Sequence, residues 1–579
     1  MTAIARHLMY FRSSVDGADL PYLVCAPAAE SAAAGRLPVV FLLHDHLRDP
    51  SPGGFIEEAF RRAAHWESAL RSSCPALLIQ PFGRGNAGWL GVAARDIFDV
   101  WEHVRHAYCC DPDAVSLVGI GAGGTGALQL AGWRPDRFSA IAAIGAWTDD
   151  RFDLPIGMSQ WPVWEQPQRL AVNPLFLANN LTHMPIYLEH PWWFNGLSGT
   201  AGRAHYDAMV AQLSSLGVSP RTVEQPIRVS AVRTCPSAMD QLWAWLISAR
   251  RKTPLPSVRF CSGCLRSATC DWIGIVRLLR PEKAGFVQAQ ATPAEQRLKT
   301  KNVQALAVRL LGPHRLRVDR QSMDLRQYGD GYSGRWIRLE RVGNAWNWHD
   351  AQLHDEPWPA SSTLNAAASL RRQSSATGRR IATNAPTTVK SPTLPGPVID
   401  LFTDRILLVP GTLGDDAENG VMRQLAETLQ NSWRTGCDSL NPYPGDRRSQ
   451  IETAILNDTD LTAEDSARHH LVLIGNPRTN LVLGRLAGRL PCRWPDTSGA
   501  VELTATRQRR QDPELVLLLL CPNPEAPHRY AFIVTSQVVG ALASVSELRM
   551  VYLPDFFLTL GRRVVDWGYF GADWRTPIA

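Results

Sequence analysis

Residues 115–126 read VSLVGIGAGGTG, and no other stretch restricts the fold as strongly. Val115–Gly119 reads as a short central strand of a parallel sheet. It enters a turn carrying Gly119, Gly121, Gly123 and Gly124, and helical spacing resumes at Ala127, Leu128 and Leu130. A strand that passes into a helix through such a turn belongs to an α/β layer architecture, with glycine where the backbone bends sharply or approaches a neighbour closely. Two chemistries use this arrangement. Gly119, Gly121 and Gly124 satisfy G-x-G-x-x-G, which brings a pyrophosphate up to a helix N-terminus. Gly119, Gly121 and Gly123 frame the G-x-S-x-G elbow, which lifts a nucleophile above a sheet.

The flanking text supplies the rest of a parallel sheet. Pro38–Leu43 is a continuous apolar run, and Ala76–Gln80, Ser139–Ile144 and Met184–Glu189 are further strands. Ala94–Tyr108 has helical spacing in Ile97, Val100, Trp101 and Val104. Leu8–Ser14 and Leu20–Ala26 are joined by Asp16-Gly17, a hairpin signal. At least two central strands therefore precede the glycine turn, whereas a dinucleotide fingerprint opens its domain. No acidic residue stands about 20 positions further on at a strand end either, so the elbow is the stronger reading.

Pieces of the chain resemble one family in the right order. They are Ser13-Ser14-Val15-Asp16-Gly17 with Leu20-Pro21-Tyr22, Val39–His44, Asp96 with its helix, and Asp111-Pro112-Asp113. Arg134-Pro135-Asp136-Arg137-Phe138, Asn173-Pro174 to Asn180-Leu181, and Pro185–His190 follow. Over roughly residues 8–250 the chain resembles the prolyl-oligopeptidase and esterase branch of the α/β-hydrolases. The resemblance implies an α/β-hydrolase-like parallel sheet and a Ser–His–Asp machine.

That machine lacks its parts. The nucleophile position falls on Gly121, and no Ser, Cys or Glu lies between Leu117 and Phe138. The acid loop should follow Pro185–His190, but His190-Pro191-Trp192-Trp193-Phe194-Asn195 offers no carboxylate before Asp207. The general base should follow the last strand, yet no His occurs between His205 and His314. Three empty roles point to a non-catalytic homologue, a pseudo-peptidase or pseudo-esterase that binds or scaffolds, with His190 and Asn195 marking a degenerate acid loop. One alternative is an active peptidase or esterase with displaced groups, drawing on His44, Asp45 and His46 at the oxyanion loop. The other is a nucleotide-binding protein using Gly119–Gly124. No catalytic residue, cofactor or metal is expected. The partner is a protein or a small molecule that the sequence does not name.

The 579 residues suffice for several domains, and a net charge of +6 is too weak to argue for nucleic acid or an anionic membrane. After the first α/β domain (1–252), short alternating segments predict a β-rich domain (253–350), in which Trp346-Asn347-Trp348 is expected to pack the core. Residues 351–395 are rich in Ser, Thr, Ala and Pro and are expected to form a flexible linker. A second α/β domain (396–579) carries strand–turn–helix units at Arg405–Trp433 and His470–Leu490, whose glycine turns are expected to be structural, and strands at Leu515–Leu520 and Tyr530–Thr535 bridged by Cys521–Arg529. Cys261, Cys264 and Cys270 lack a fourth ligand at zinc spacing. Eleven Cys without regular spacing, no spanning apolar run and an N-terminus without an apolar core lead to an expected cytoplasmic location.

Overall fold

A computed structural model describes residues 4–27, 36–66, 70, 75–153, 160–191, 201–224, 236–312, 315–325, 334–350, 389–435, 453–495, 499–505, 511–548 and 550–578. The first sheet contains β1 (Ile4–Arg12), β2 (Asp19–Pro27), β3 (Leu37–Leu43), β4 (Leu77–Pro81), β5 (Cys110–Ile120), β6 (Ala140–Ile144), β7 (Ile186–His190) and β8 (Arg221–Glu224). Their spatial order is β1-β2-β4-β3-β5-β6-β7-β8. β1 and β2 form the antiparallel hairpin, and β2 pairs antiparallel with β4. From β4 onward the sheet is parallel. The fold is α/β and hydrolase-like.

Strand order positions the site. The chain leaves β3 through α1 (Pro52–His65), begun by Pro52 and capped by the Ser51 hydroxyl, which accepts from the Gly54 N–H at 3.1 Å. It returns as β4 on one side of β3. It then runs through α2 (Gly91–Ala107) and comes back as β5 on the other side. The direction of winding reverses at β3, so the C-terminal ends of β3 and β5 flank the crevice where open α/β sheets place their ligands. Leu43 pairs with Gly119 across that gap. After β5 the chain enters α3 (Ala122–Trp133). Arg84, in the loop after β4, is buried and donates to Asp16 and Asp96 at 2.5 Å each, pinning the hairpin turn to α2.

Between Ser257 and Asp350, two five-stranded sheets enclose a core containing Phe260, Trp272, Leu306, Ile337 and Trp346. Trp346 is buried, its indole N–H donating to Asp319 at 3.0 Å. Further on, a seven-stranded sheet is parallel through Ala454–Ile455, Ile406–Pro410, His470–Ile474 and Ala526–Ser536. It continues antiparallel through Val516–Asn523, Phe556–Leu560 and Arg563–Gly568. The expected bridge Cys521–Arg529 is instead part of a hairpin, since Asn523 already pairs with Ala526.

The three parts are packed together. The core of the C-terminal sheet includes Val15 and Val92 from the first part, and Trp164 meets Phe557 edge-on at 5.6 Å. Arg266 of the β-rich part donates to Asp400 at 2.6 and 2.7 Å, and the Tyr530 hydroxyl donates to the same carboxylate at 2.8 Å. Burial works against the Arg266 charge, but the Asp400 carboxylate outweighs it and raises the pKa.

Residues 351–388 of the expected linker lie outside the described residues. Its C-terminal end is not a linker. Lys390 is buried, pairs with Asp555 and sits 4.5 Å from the Trp574 ring centroid, and Leu394 joins the core. A lysine in a Ser/Pro-rich stretch reads as solvated, and only the distant Asp555 reverses that. Removing one partner of a buried pair strands the other charge, so Arg266→Ala should destabilise the protein by about 3–5 kcal/mol. A clear fall in thermal midpoint is the expected readout, whereas Arg562→Ala, at the exposed pair with Glu547, should leave the midpoint unchanged.

Candidate active site: a carboxylate in the elbow

Gly121 caps α3 with φ +56° and ψ −120°, a region that penalises any side chain. Its N–H donates to the Ile144 carbonyl at 2.8 Å. Helix α3 begins at Ala122, earlier than the apolar spacing from Ala127 suggests, so the glycines form its first turn. Glycine propensity argues against this start, and packing overrides it. A Cβ on Gly119 would lie 1.9 Å from the Gly123 carbonyl oxygen, and one on Gly123 would lie 2.1 Å from the Leu43 carbonyl oxygen. Only bare backbone lets α3 start this close to β3 and β5.

The three oxyanion-loop residues have separate fates. His44 is buried, with Nδ1 2.7 Å from the Asp45 carbonyl oxygen and Nε2 2.9 Å from that of Phe82. The Trp89 indole donates to the His44 carbonyl at 3.1 Å, and the two rings meet edge-on at 4.9 Å. Burial, reinforced by Arg62, pushes the His44 pKa down to about 3 against the pull of its two carbonyl contacts, and the ring serves structure. His46 is half-exposed, its Nδ1 3.6 Å from Asp45 Oδ1.

Asp45 enters the elbow. Its Oδ1 accepts the Ala122 N–H at 2.9 Å, the backbone donor that in a serine hydrolase of this fold serves the oxyanion. A Cβ built on Gly121 would stand 2.2 Å from Asp45 Cγ and Oδ1. The carboxylate thus occupies the space that a nucleophile's side chain would need and consumes the donor beside it.

The remaining positions supply no triad. Thr125 is buried, its hydroxyl donating to the Trp147 carbonyl at 3.0 Å and accepting the Trp147 N–H at 2.9 Å. His190 is buried at the end of β7 with its ring 5.4 Å from Tyr206. Asn195 lies outside the described residues, as do residues 225–235. His205, not singled out by the sequence, is buried and accepts the Thr148 N–H through Nδ1 at 3.1 Å. Glu189, also missed, is buried and accepts the Tyr187 hydroxyl at 2.7 Å. Cys261 and Cys270 are buried thiols. Burial raises both pKa values, that of Cys261 to about 12. Among the described residues no group of three or more His, Cys, Asp and Glu could hold a metal ion.

The C-terminal part closes over this end of the first sheet. The Arg169 guanidinium lies between Trp161, at 3.5 Å, and Tyr552, at 4.2 Å. It also pairs with Glu165 at 2.8 Å and Asp150 at 3.1 Å. Beside Thr125, the space bounded by Trp147, Arg169 and Tyr552 is about 30 Å³, room for about two waters.

No protein-family model matches the chain, and no curated protein sequence matches it. Solved structures do. The fluorophosphonate-binding serine hydrolase F of Staphylococcus aureus is 13% identical, with 42% of this chain and 98% of that one covered, at a TM-score of 0.33. Pyrococcus horikoshii acylaminoacyl peptidase is 14% identical, with 44% and 43% covered and a TM-score of 0.31. The S-formylglutathione hydrolase of S. aureus is 14% identical, with 42% and 97% covered and a TM-score of 0.31. These values lend no chemistry to this chain, whose hydrolase-like fold stands on its strand order and elbow.

Gly121→Ala should cost about 1–3 kcal/mol through the left-handed φ, and more because the Asp45 carboxylate must leave Ala122. In an Asp45→Ala background the second penalty vanishes. A double-mutant cycle followed by denaturation should show a coupling of roughly 0.5–3 kcal/mol. Simple additivity would mean that the carboxylate does not fill the elbow.

Proposed function

We propose that this chain is a non-catalytic α/β-hydrolase homologue that acts by binding or as a scaffold. The seating of Asp45 carries the reading: a carboxylate stands where a nucleophile would, on the N–H that would stabilise an oxyanion. The absence of any His between His205 and His314 agrees with it. So does the narrow space beside Thr125.

A second reading, a hydrolase with displaced groups, is favoured by one observation: Asp45 and His46 form a carboxylate–imidazole pair 3.6 Å apart at the elbow. The nucleotide reading loses support, because a carboxylate at the N-terminus of α3 repels a phosphate and backbone fills the space around Gly119 and Gly123. Among the described residues no helix is long and apolar enough to cross a membrane, and all eight described cysteines are free thiols. We place the protein in the cytoplasm, a reducing compartment that suits those thiols.

The purified protein should neither react with a fluorophosphonate probe nor turn over p-nitrophenyl esters or peptide amides. Gly121→Ser should remain inactive, since it gains a hydroxyl but no base. Stoichiometric labelling of a serine would overturn the proposal, and turnover lost in Asp45→Asn would install the displaced-group reading.

A further inference from the structure

At the opposite end of the first sheet from Gly121, a cavity of about 470 Å³ lies between α2 and the beginnings of β3 and β5. A break in the strand ladder accompanies it. Pairing jumps from Leu37–Cys110 to Val39–Val115, so β5 spends extra residues, Pro112 among them, on the cavity wall. The volume falls within the range of small-molecule sites, which combine apolar walls with a few convergent polar groups.

The walls are aromatic: Phe41, Phe98, Trp101, Tyr108 and Phe138 line it. Phe98 and Phe138 stand 6.4 Å apart, and Phe41 meets Trp101 edge-on at 6.5 Å. Four arginines, Arg36, Arg105, Arg137 and Arg251, line the same cavity with one carboxylate, Glu102. Two of these arginines are committed. Arg105 pairs with Glu102 at 2.6 Å, and Arg251 holds Asp113 at 2.7 Å and donates to the Asp136 carbonyl. The other two are not. Arg36 has no hydrogen-bond or ion-pair partner among the described residues. Arg137 reaches Asp136 only at 3.9 Å, while that carboxylate accepts two hydrogen bonds from Arg134 at 3.2 Å.

We propose that this cavity binds an aromatic carboxylate, its ring among the aromatic walls and its carboxylate received by Arg36 and Arg137. Rings offer their faces and edges to another ring, and a guanidinium takes a carboxylate through paired hydrogen bonds. This site lies apart from the elbow and holds whether or not the elbow is inert. It gives a non-catalytic protein a small molecule to recognise.

Titration calorimetry of the full chain with 2-naphthoate tests it. Saturable binding of one ligand per chain is expected. The neutral 2-naphthalenemethanol should bind at least roughly tenfold more weakly, the loss expected for one charge-assisted contact. Arg36→Glu and Arg137→Glu should each weaken 2-naphthoate to a similar degree without moving the thermal midpoint, since both side chains reach solvent. Cys109, exposed on the cavity lining, should be protected by bound 2-naphthoate from alkylation by iodoacetamide, read by peptide mass spectrometry. The proposal falls if 2-naphthoate shows no saturable binding or binds both variants as tightly as the parent. It also falls if Cys109 stays unprotected, or if the alcohol or inorganic phosphate binds as well as the naphthoate.

Discussion

The start of α3 lies so close to β3 and β5 that backbone atoms fill the places where side chains would stand at Gly119 and Gly123. This contact brings the loop after β3 over the elbow. With α3 drawn in, the Ala122 N–H points at Asp45, and the Asp45 carboxylate finds a donor at a helix N-terminus, where negative charge is favoured. Glycine at 121 makes room for that carboxylate. In an active hydrolase the same position holds a strained residue whose side chain does the chemistry. Here the turn is kept on a glycine that adopts it without strain, there is no nucleophile, and the space is given to an acid from another loop.

The neighbouring parts of the molecule reinforce this closure. Arg169, held between Trp161 and Tyr552, ties the segment after β6 to the C-terminal part. Arg84 ties the loop after β4 to the first hairpin. The Arg266–Asp400 pair, with Tyr530, anchors the β-rich part. Each is a buried ion pair or cation–ring contact between segments distant in sequence. Ion pairs of this kind are costly to break because an uncompensated charge is left behind.

What the sequence revealed follows from how local each signal is. Continuous apolar runs marked β3, β5 and β6 because strands buried on both faces need no pattern beyond hydrophobicity. The Asp16-Gly17 hairpin was legible for the same local reason. The exchange of β3 and β4 in the sheet was not, since it depends on where α1 and α2 pack. Neither was the start of α3, where poor helix formers are held in place by tertiary contact. At the site, the bare Gly121 could be read directly. The partner that fills its space could not, because Asp45 lies 77 residues before Ala122 and stands between two histidines as a loop acid with no mark of its own. Lys390 escaped notice for the same reason, its burial depending on Asp555, 165 residues away.

An experimental electron-density map of the elbow tests the central claim most directly. It should show Asp45 Oδ1 about 2.9 Å from the Ala122 nitrogen, with carboxylate density lying over Gly121. Density showing the Asp45 side chain turned away to solvent, with the Ala122 N–H facing an open, water-filled hole, would contradict the account. The elbow would then be a vacant site rather than one filled from within.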